Sequence, residues 1–423
     1  MLLKGRGANM NNKRLQSKTG GLRISGGRPG FAVVLVMCAV VILLVIGGGV
    51  LSLGLHNRQL ATRTSSDIAA LSAADAGLTK AFFEMNEKLK IIPWNGTALP
   101  EVTNEVLLNT DATYTYAVTG DSGSGYFLTS TGKSGVREKR ISCSLSLKGP
   151  FEHAILTQGT LILKPGTVVQ GYNSSDPWDS DTKVSIGTKS ISDDSVILNS
   201  GVIVNGSIVV GVGGDVETVI KDLGATTYRQ YAMIEEIELP PVTAPVLADM
   251  GSGINVHGTT VTVGPVDNGQ YGGIDVRRAA NPGILEVNGG DVVLYVTGDI
   301  SLGQECQIVI KDGSSLILYL DGDFDSGNDA GINNESLPAN LKIFGTSTQE
   351  QSFTLKAKSE SLGAVYAPNA IVTIMSDSDV YGTVTAKSFE LKSGGNFYYD
   401  KALREVEPDD ESAAFVIKEW REE

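Results

Sequence analysis

The sequence is short of the residues from which catalytic and metal centres are usually built. It holds three cysteines and three histidines in 423 positions. Cys38, Cys143 and Cys306 are too few for a disulfide framework, and none stands at a metal-ligand spacing. Cys38 falls inside an apolar run, where a thiol packs as a small hydrophobe. Cys143 and Cys306 leave two readings open, a pair in an oxidising compartment or two separate buried thiols. His56, His153 and His257 lie far apart and form no zinc or triad signature. Aromatic residues make up 6% of the chain and charged residues 19%, whereas glycine occurs 50 times. With many Val, Ile, Thr and Ser residues, this mix disfavours a helical protein and favours a turn-rich β one.

Acid is also missing where it would matter most. Residues 1–30 contain Lys4, Arg6, Lys13, Arg14, Lys18, Arg23 and Arg28 and no Asp or Glu, a charge of +7 in a chain of net −14. The remainder therefore carries −21. A basic arm beside an apolar segment is what a cytoplasmic flank looks like. An acidic body lacks the basic face that nucleic acid requires, so no nucleic-acid partner is expected.

Phe31 to Leu55 has no charged residue. At ~1.5 Å per residue the run is long enough to cross a ~30 Å hydrocarbon core, and too long for a secretory signal, whose apolar region is ~7–15 residues. The pattern continues past the membrane. Leu60, Ile68, Leu71, Leu78, Phe82, Met85 and Leu89 recur largely at three- and four-residue steps. They mark one stripe of an amphipathic helix that Pro93 ends. A single helix over 31–92 is expected, with Gly47, Gly48 and Gly49 as the place where it would bend.

The order of a basic leader, Gly30 and then Phe31 opening a long apolar helix resembles the class III signal of type IV pilins and type II secretion pseudopilins. The downstream "SAADAGLTKAF" resembles the Ala-rich run of PilX-type minor pilins. The resemblance implies cleavage between Gly30 and Phe31 by a prepilin peptidase. It also implies partnership with other pilin-like subunits and the inner-membrane assembly machinery. Leu35 departs from it, because major pilins carry glutamate at that fifth mature position. In the family that lack goes with a minor subunit at the filament tip. The expected location is the bacterial inner membrane, anchored by residues 31–55, with the N-terminus cytoplasmic and the body periplasmic or extracellular.

Beyond the helix, residues 104–149 read as a small β-meander of three alternating strands. From 150 to 236 and from 254 to 403, short apolar runs alternate with Gly, Asn and Asp turns. This texture suggests the stacked coils of a β-solenoid, or β-helix, with a β-sandwich as the alternative. The Pro/Gly-rich stretch 237–253 reads as a linker or an extended crossing segment, and 404–423 as a charged tail, either a capping helix or a loose end. The stretch 363–403, with Tyr366, Pro368, Asn369, Tyr381, Gly382 and Tyr399, is similar to an uncharacterised β-rich domain found behind pilin-like N-termini. Gly363 and Gly382 suit turns with positive φ, and Asn369 suits a ladder or a left-handed turn. The fold class expected is α+β, mainly β.

Two acidic clusters invite a calcium reading: Asp321, Asp323, Asp325 and Asp329, and the looser Asp176, Asp179 and Asp181. The first fails the EF-hand pattern, since Ser326 replaces the turn glycine and Ile332 stands where a bidentate glutamate belongs. Solvated turns are the expected meaning. No compact motif supports catalysis, so a structural, non-enzymatic protein without a cofactor is expected. It would be a minor pilin-like or pseudopilin-like subunit displaying a β-rich body for adhesion or partner binding. The alternative is a statically anchored envelope β-helix that binds glycan or protein.

Overall fold

A computed structural model describes residues 30–422, apart from 92–93, 122–123, 177, 180, 182, 334 and 405–412. The expected leader lies outside these residues except for Gly30. One helix, α1 (Gly30–Leu89), runs unbroken for 60 residues, about 90 Å at ~1.5 Å per residue. It continues through Gly47–Gly49, and nothing else in the chain approaches those glycines. Four antiparallel strands follow: β1 (Glu101–Val106), β2 (Thr113–Asp121), β3 (Gly125–Ser134) and β4 (Arg137–Lys148). Their inward residues alternate with outward ones at the two-residue period of a half-buried sheet. They pack Tyr114, Tyr116, Val118, Tyr126, Leu128, Ile141, Cys143 and Leu145 against the far half of α1.

The segment expected as a charged tail proves to be a fifth strand of this sheet. Ala414–Glu422 pairs antiparallel with β4, from Ala414 opposite Lys148 to Glu422 opposite Ile141. It is neither a capping helix nor a loose end. A strand forms because Phe415 is taken wholly into the helix–sheet core, and a free edge of β4 offers backbone partners that a loose end would leave to water.

Residues 155–400 form a parallel β-solenoid of three faces. Its coils are close to 24 residues where they are regular, as for Asp291 opposite Ser315. They range from 17 (Asp379 opposite Asn396) to 35 (Leu161 opposite Val196). That spread hides the repeat in the sequence. On one face a single ladder of inward residues crosses the whole stack: Ile254, Ile274, Ile300, Phe324, Phe353, Val372, Phe389, Leu161, Val196, Ile220. Every one is buried. Ten rungs at ~4.8 Å make a core about 43 Å long.

The order of those rungs defines the topology. The chain joins the stack at Leu161, the eighth rung, and builds outward to Ile220. It then travels to the opposite end at Ile254 and builds back until Phe389 meets Leu161. The two β-rich blocks distinguished in the sequence thus share one continuous core. Part of the segment between them, 237–253, is the strap that makes the return. Leu239, Val242 and Ala244 lie against the outward row Val293, Tyr295, Ile317, Tyr319, Phe344 and Tyr366. Tyr366 donates its hydroxyl to the carbonyl of Pro240 at 2.9 Å. Proline suits this path, since an extended strap on a sheet face does not need every N–H.

Gly382 (φ +142°) sits directly over the carbonyl of Gly363, where any side chain would clash. Gly363 itself has no positive φ; its small size admits Leu341. Asn369 takes the ladder role, donating to Ser347 O at 2.7 Å on the adjacent coil.

Candidate membrane and assembly surface

α1 divides into two regimes. From Val33 to about Ser65 every side chain is exposed, and as far as Leu55 nearly all are apolar. This is a helix long and apolar enough to cross a membrane. Of the expected stripe, Leu35 (60% exposed), Leu60 (46%) and Ile68 (61%) face away from any core within the chain. Leu71 and Phe82 are partly buried, and Leu78 and Met85 fully so. Gly30 opens the helix; its surroundings and those of Phe31 lie outside the described side chains.

The buried seam starts later than the large apolar residues suggest, and it is built from small ones. Ala70, Ala73, Ala74, Gly77, Leu78 and Ala81 line the approach of β3. A methyl group at Gly132 would land on the carbonyl oxygen of Ala70 and the amide of Ala74. One at Gly77 would strike Ser130 Oγ and the Tyr114 ring. Strand and helix therefore meet backbone to backbone, which only the Ala/Gly composition allows. This gives the "SAADAGL" run a structural reason that large-residue periodicity missed.

Polar contacts lock the far end of this seam. Tyr116 donates its hydroxyl to Glu84 Oε2 at 2.7 Å, and burial pushes its pKa well above the usual phenol value, with the Glu84 bond adding to the effect. Lys80 Nζ bridges Glu105 at 2.6 Å, which raises the lysine and lowers the glutamate. Asn86 brackets the C-terminal strand: Phe415 N donates to its Oδ1 at 2.8 Å. Cys143 is buried in this core, with its thiol pushed up to about 11 by desolvation, while Cys306 is buried in the solenoid; both are free.

The acidic clusters are dispersed into structural roles. Asp299 Oδ1 accepts the N–H of Asp323 at 2.9 Å, and Asp323 Oδ1 accepts that of Ser352 at 2.8 Å, a ladder up one corner of the solenoid. Asp325 pairs with Lys356 at 2.8 Å, and Asp329 occupies a left-handed turn at φ +57°. Asp321 is exposed. In the second cluster, the nearly buried ammonium of Lys401 lies 3.5 Å from Asp179 and 3.3 Å from Asp181. The chain's own cation thus lies against two of the three acids of this cluster. Among the described residues no group of three His, Cys, Asp or Glu side chains is arranged to hold a metal ion.

Residues 242–406 match the family model described as a domain of unknown function (DUF7305). The match takes in the strap from Val242 onward and the returning coils, and ends beyond the rung that meets Leu161. No curated protein matches the chain. Among solved structures it is similar to the competence-associated pilin ComZ from Thermus thermophilus, at 14% identity and TM-score 0.29, covering 85% of this chain and 98% of that one. It is also similar to an ice-binding protein of Antarctomyces psychrotrophicus (12% identity, TM-score 0.26, 59% of this chain and 95% of that one). An ice-binding domain of Shewanella frigidimarina has the same identity and coverage, with TM-score 0.25.

Proposed function

We propose that the protein is a membrane-anchored, pilin-like structural subunit, assembled through α1 and displaying the solenoid outside the membrane. One observation carries the reading. A single continuous helix is bare and apolar over its first half and clasped by a small antiparallel sheet over its second. In hydrocarbon the bare half needs no partner, whereas outside it that half has to pack on other helices. A helix that only anchored the chain would not need to continue rigidly from its apolar run into the folded head. The finer reading is a minor pilin or pseudopilin of a type IV pilus or type II secretion filament, present in few copies. It is supported by the leader–Gly30–Phe31 order, by Leu35 and by a body too bulky for a dense shaft. Its role is display and contact, for adhesion or partner binding, rather than catalysis.

Mass spectrometry of the mature N-terminus from native membranes tests this. N-methylated Phe31 as the first residue is the expected result, and Gly30→Leu should abolish it. An intact leader in the wild-type protein would leave a static envelope β-helix and overturn the assembly reading.

A further inference from the structure

The hairpin joining β3 and β4 breaks the charge pattern of the chain. β3 starts near Trp94, at the far end of α1, and runs back toward the membrane. Gly132 reaches the level of Ala70, and Arg137 pairs with Asp67 at 3.2 Å. The turn is two residues long, Gly135 at φ +59° followed by Val136, as a II′ turn requires glycine first. Val136 stands at the tip and is 99% exposed. A β-branched apolar residue is out of place in a solvated turn, where Asn, Asp or Gly is usual.

The charge around that tip is positive. Residues 133–140 hold Lys133, Arg137, Lys139 and Arg140 against Glu138 alone. Arg58 and Arg63 are exposed on α1 just beyond the apolar run, with no acid anywhere between Phe31 and Ser66. Three of these six are paired, Lys133 with Glu138, Arg137 with Asp67 and Lys139 with Glu422. Among the described residues no acid pairs with Arg58, Arg63 or Arg140. Residues 141–423, in contrast, carry 18 basic and 39 acidic side chains. An apolar tip inside a basic rim, on the membrane side of an acidic protein, matches an anionic lipid surface in both chemistry and position.

The distances fit. Asp67 is 12 residues beyond Leu55, about 18 Å along the helix. The turn Gly135–Val136 lies one residue beyond the Ser134–Arg137 pair and brings the tip about 3 Å lower. Polar headgroups extend ~5–7 Å beyond the hydrocarbon. The remaining gap is about one Debye length, within reach of the basic side chains' field, and a helix tilt of ~20° toward the hairpin narrows it by about 3–4 Å.

We infer that the β3–β4 hairpin docks the head on the anionic lipid surface from which α1 emerges, with Val136 as its apolar contact and Arg58, Arg63 and Arg140 as its charge. This rests on the reading of Val33–Leu55 as a membrane span. Docking orients the head before assembly and is broken when the helix leaves the bilayer.

The test uses the full chain in nanodiscs of neutral phosphatidylcholine and of discs with about one-third phosphatidylglycerol. A spin label at Val136→Cys, with Cys38→Ala, is scored for collision with a neutral, water-soluble nickel chelate. The same label on native Cys38 reports insertion independently, because Cys143 and Cys306 are buried. Expected is a drop in collision rate at position 136 of about threefold or more in anionic discs only. About 0.5 M NaCl should reverse it, as should Arg58→Gln, Arg63→Gln and Arg140→Gln together. Equal exposure at 136 in both discs, with Cys38 shielded, overturns the docking and leaves the span intact. An exposed Cys38 overturns both. Shielding at 136 that appears without lipid and grows with protein concentration assigns the hairpin to the acidic body of a second copy, which also overturns it.

Discussion

The side-chain amide of Asn86 holds the backbone of Phe415 from both sides. Its Oδ1 accepts the Phe415 N–H at 2.8 Å, and its Nδ2 donates to the Phe415 carbonyl at 3.4 Å. The two residues are 329 positions apart, and every coil of the solenoid lies between them in the sequence. The far end of α1 is therefore completed by a strand that follows the whole solenoid in the chain.

Phe415→Ala should empty the site where the C-terminal strand meets Trp94 and Tyr126. Both rings lie within 6 Å of the Phe415 ring by centroid distance. A loss of about 3–5 kcal/mol in the head is expected for a buried phenylalanine. Hydrogen exchange should show β4 and the far end of α1 exposed, with the solenoid amides unchanged. Asn86→Leu should act in the same direction but more weakly, by about 1–3 kcal/mol, because it leaves a buried N–H unpaired.

Gly132→Ala and Gly135→Ala make a controlled pair. At Gly132 the new methyl has no room between β3 and α1, and a loss above about 2 kcal/mol is expected. Gly135 faces open space, so only the cost of a positive φ applies, about 1 kcal/mol. Thermal melts that rank the two equally would contradict the backbone-to-backbone packing.

His153 gives a pH dependence. It lies where the chain passes from the head into the solenoid, with its Nδ1 2.9 Å from Ser185 Oγ and Thr383 donating to its carbonyl. Burial lowers its pKa to about 4, and the charges of Arg404 and Lys148 push the same way against Glu152. With an unfolded value near 6.5, the unfolded chain binds the extra proton between about pH 6.5 and 4. Stability from this residue is full above pH 6.5 and falls as the pH drops through that window, by up to about 3 kcal/mol. His153→Gln should flatten the profile there in denaturant titrations.

Lys401→Met tests whether the 173–183 loop is held by the chain's own cation. The loop should be cut by protease several-fold faster, with a global loss of only about 1–2 kcal/mol, since Asp181 is well exposed. Millimolar calcium should leave the Tm of the wild-type protein unchanged.

Much of this architecture is readable from sequence, and the gaps have physical causes. A charge-free run followed by Leu78, Met85 and Leu89 at helical spacing specifies α1 without help from tertiary contacts. The buried seam escapes because alanine and glycine give no periodic signal, whereas Leu60 and Ile68 keep the period below the level of the sheet. Short Val/Ile/Leu strands between glycine turns reveal a solenoid but not its coil order. Phe389 stacks on Leu161 as well as a sequential neighbour would, and nothing local distinguishes the two. The C-terminal strand escapes because Phe415 is its one fully buried residue, so it shows no alternation. The basic hairpin is legible in the sequence only as one turn of the meander. Its position beside Asp67 depends on the direction in which β3 runs.

The rung order carries a consequence for how the molecule is made. Because the stack is joined in its interior and finished from the opposite end, neither half can bury its open face alone. The solenoid must wait for Phe389, and the head must wait for Phe415. A chain cut just before Ala414 would keep α1 and the seam under β3 but leave open the far end of the helix–sheet core, where Phe415 packs. Such a chain would present an unfinished core, so the packing of the head depends on a strand made after the whole solenoid.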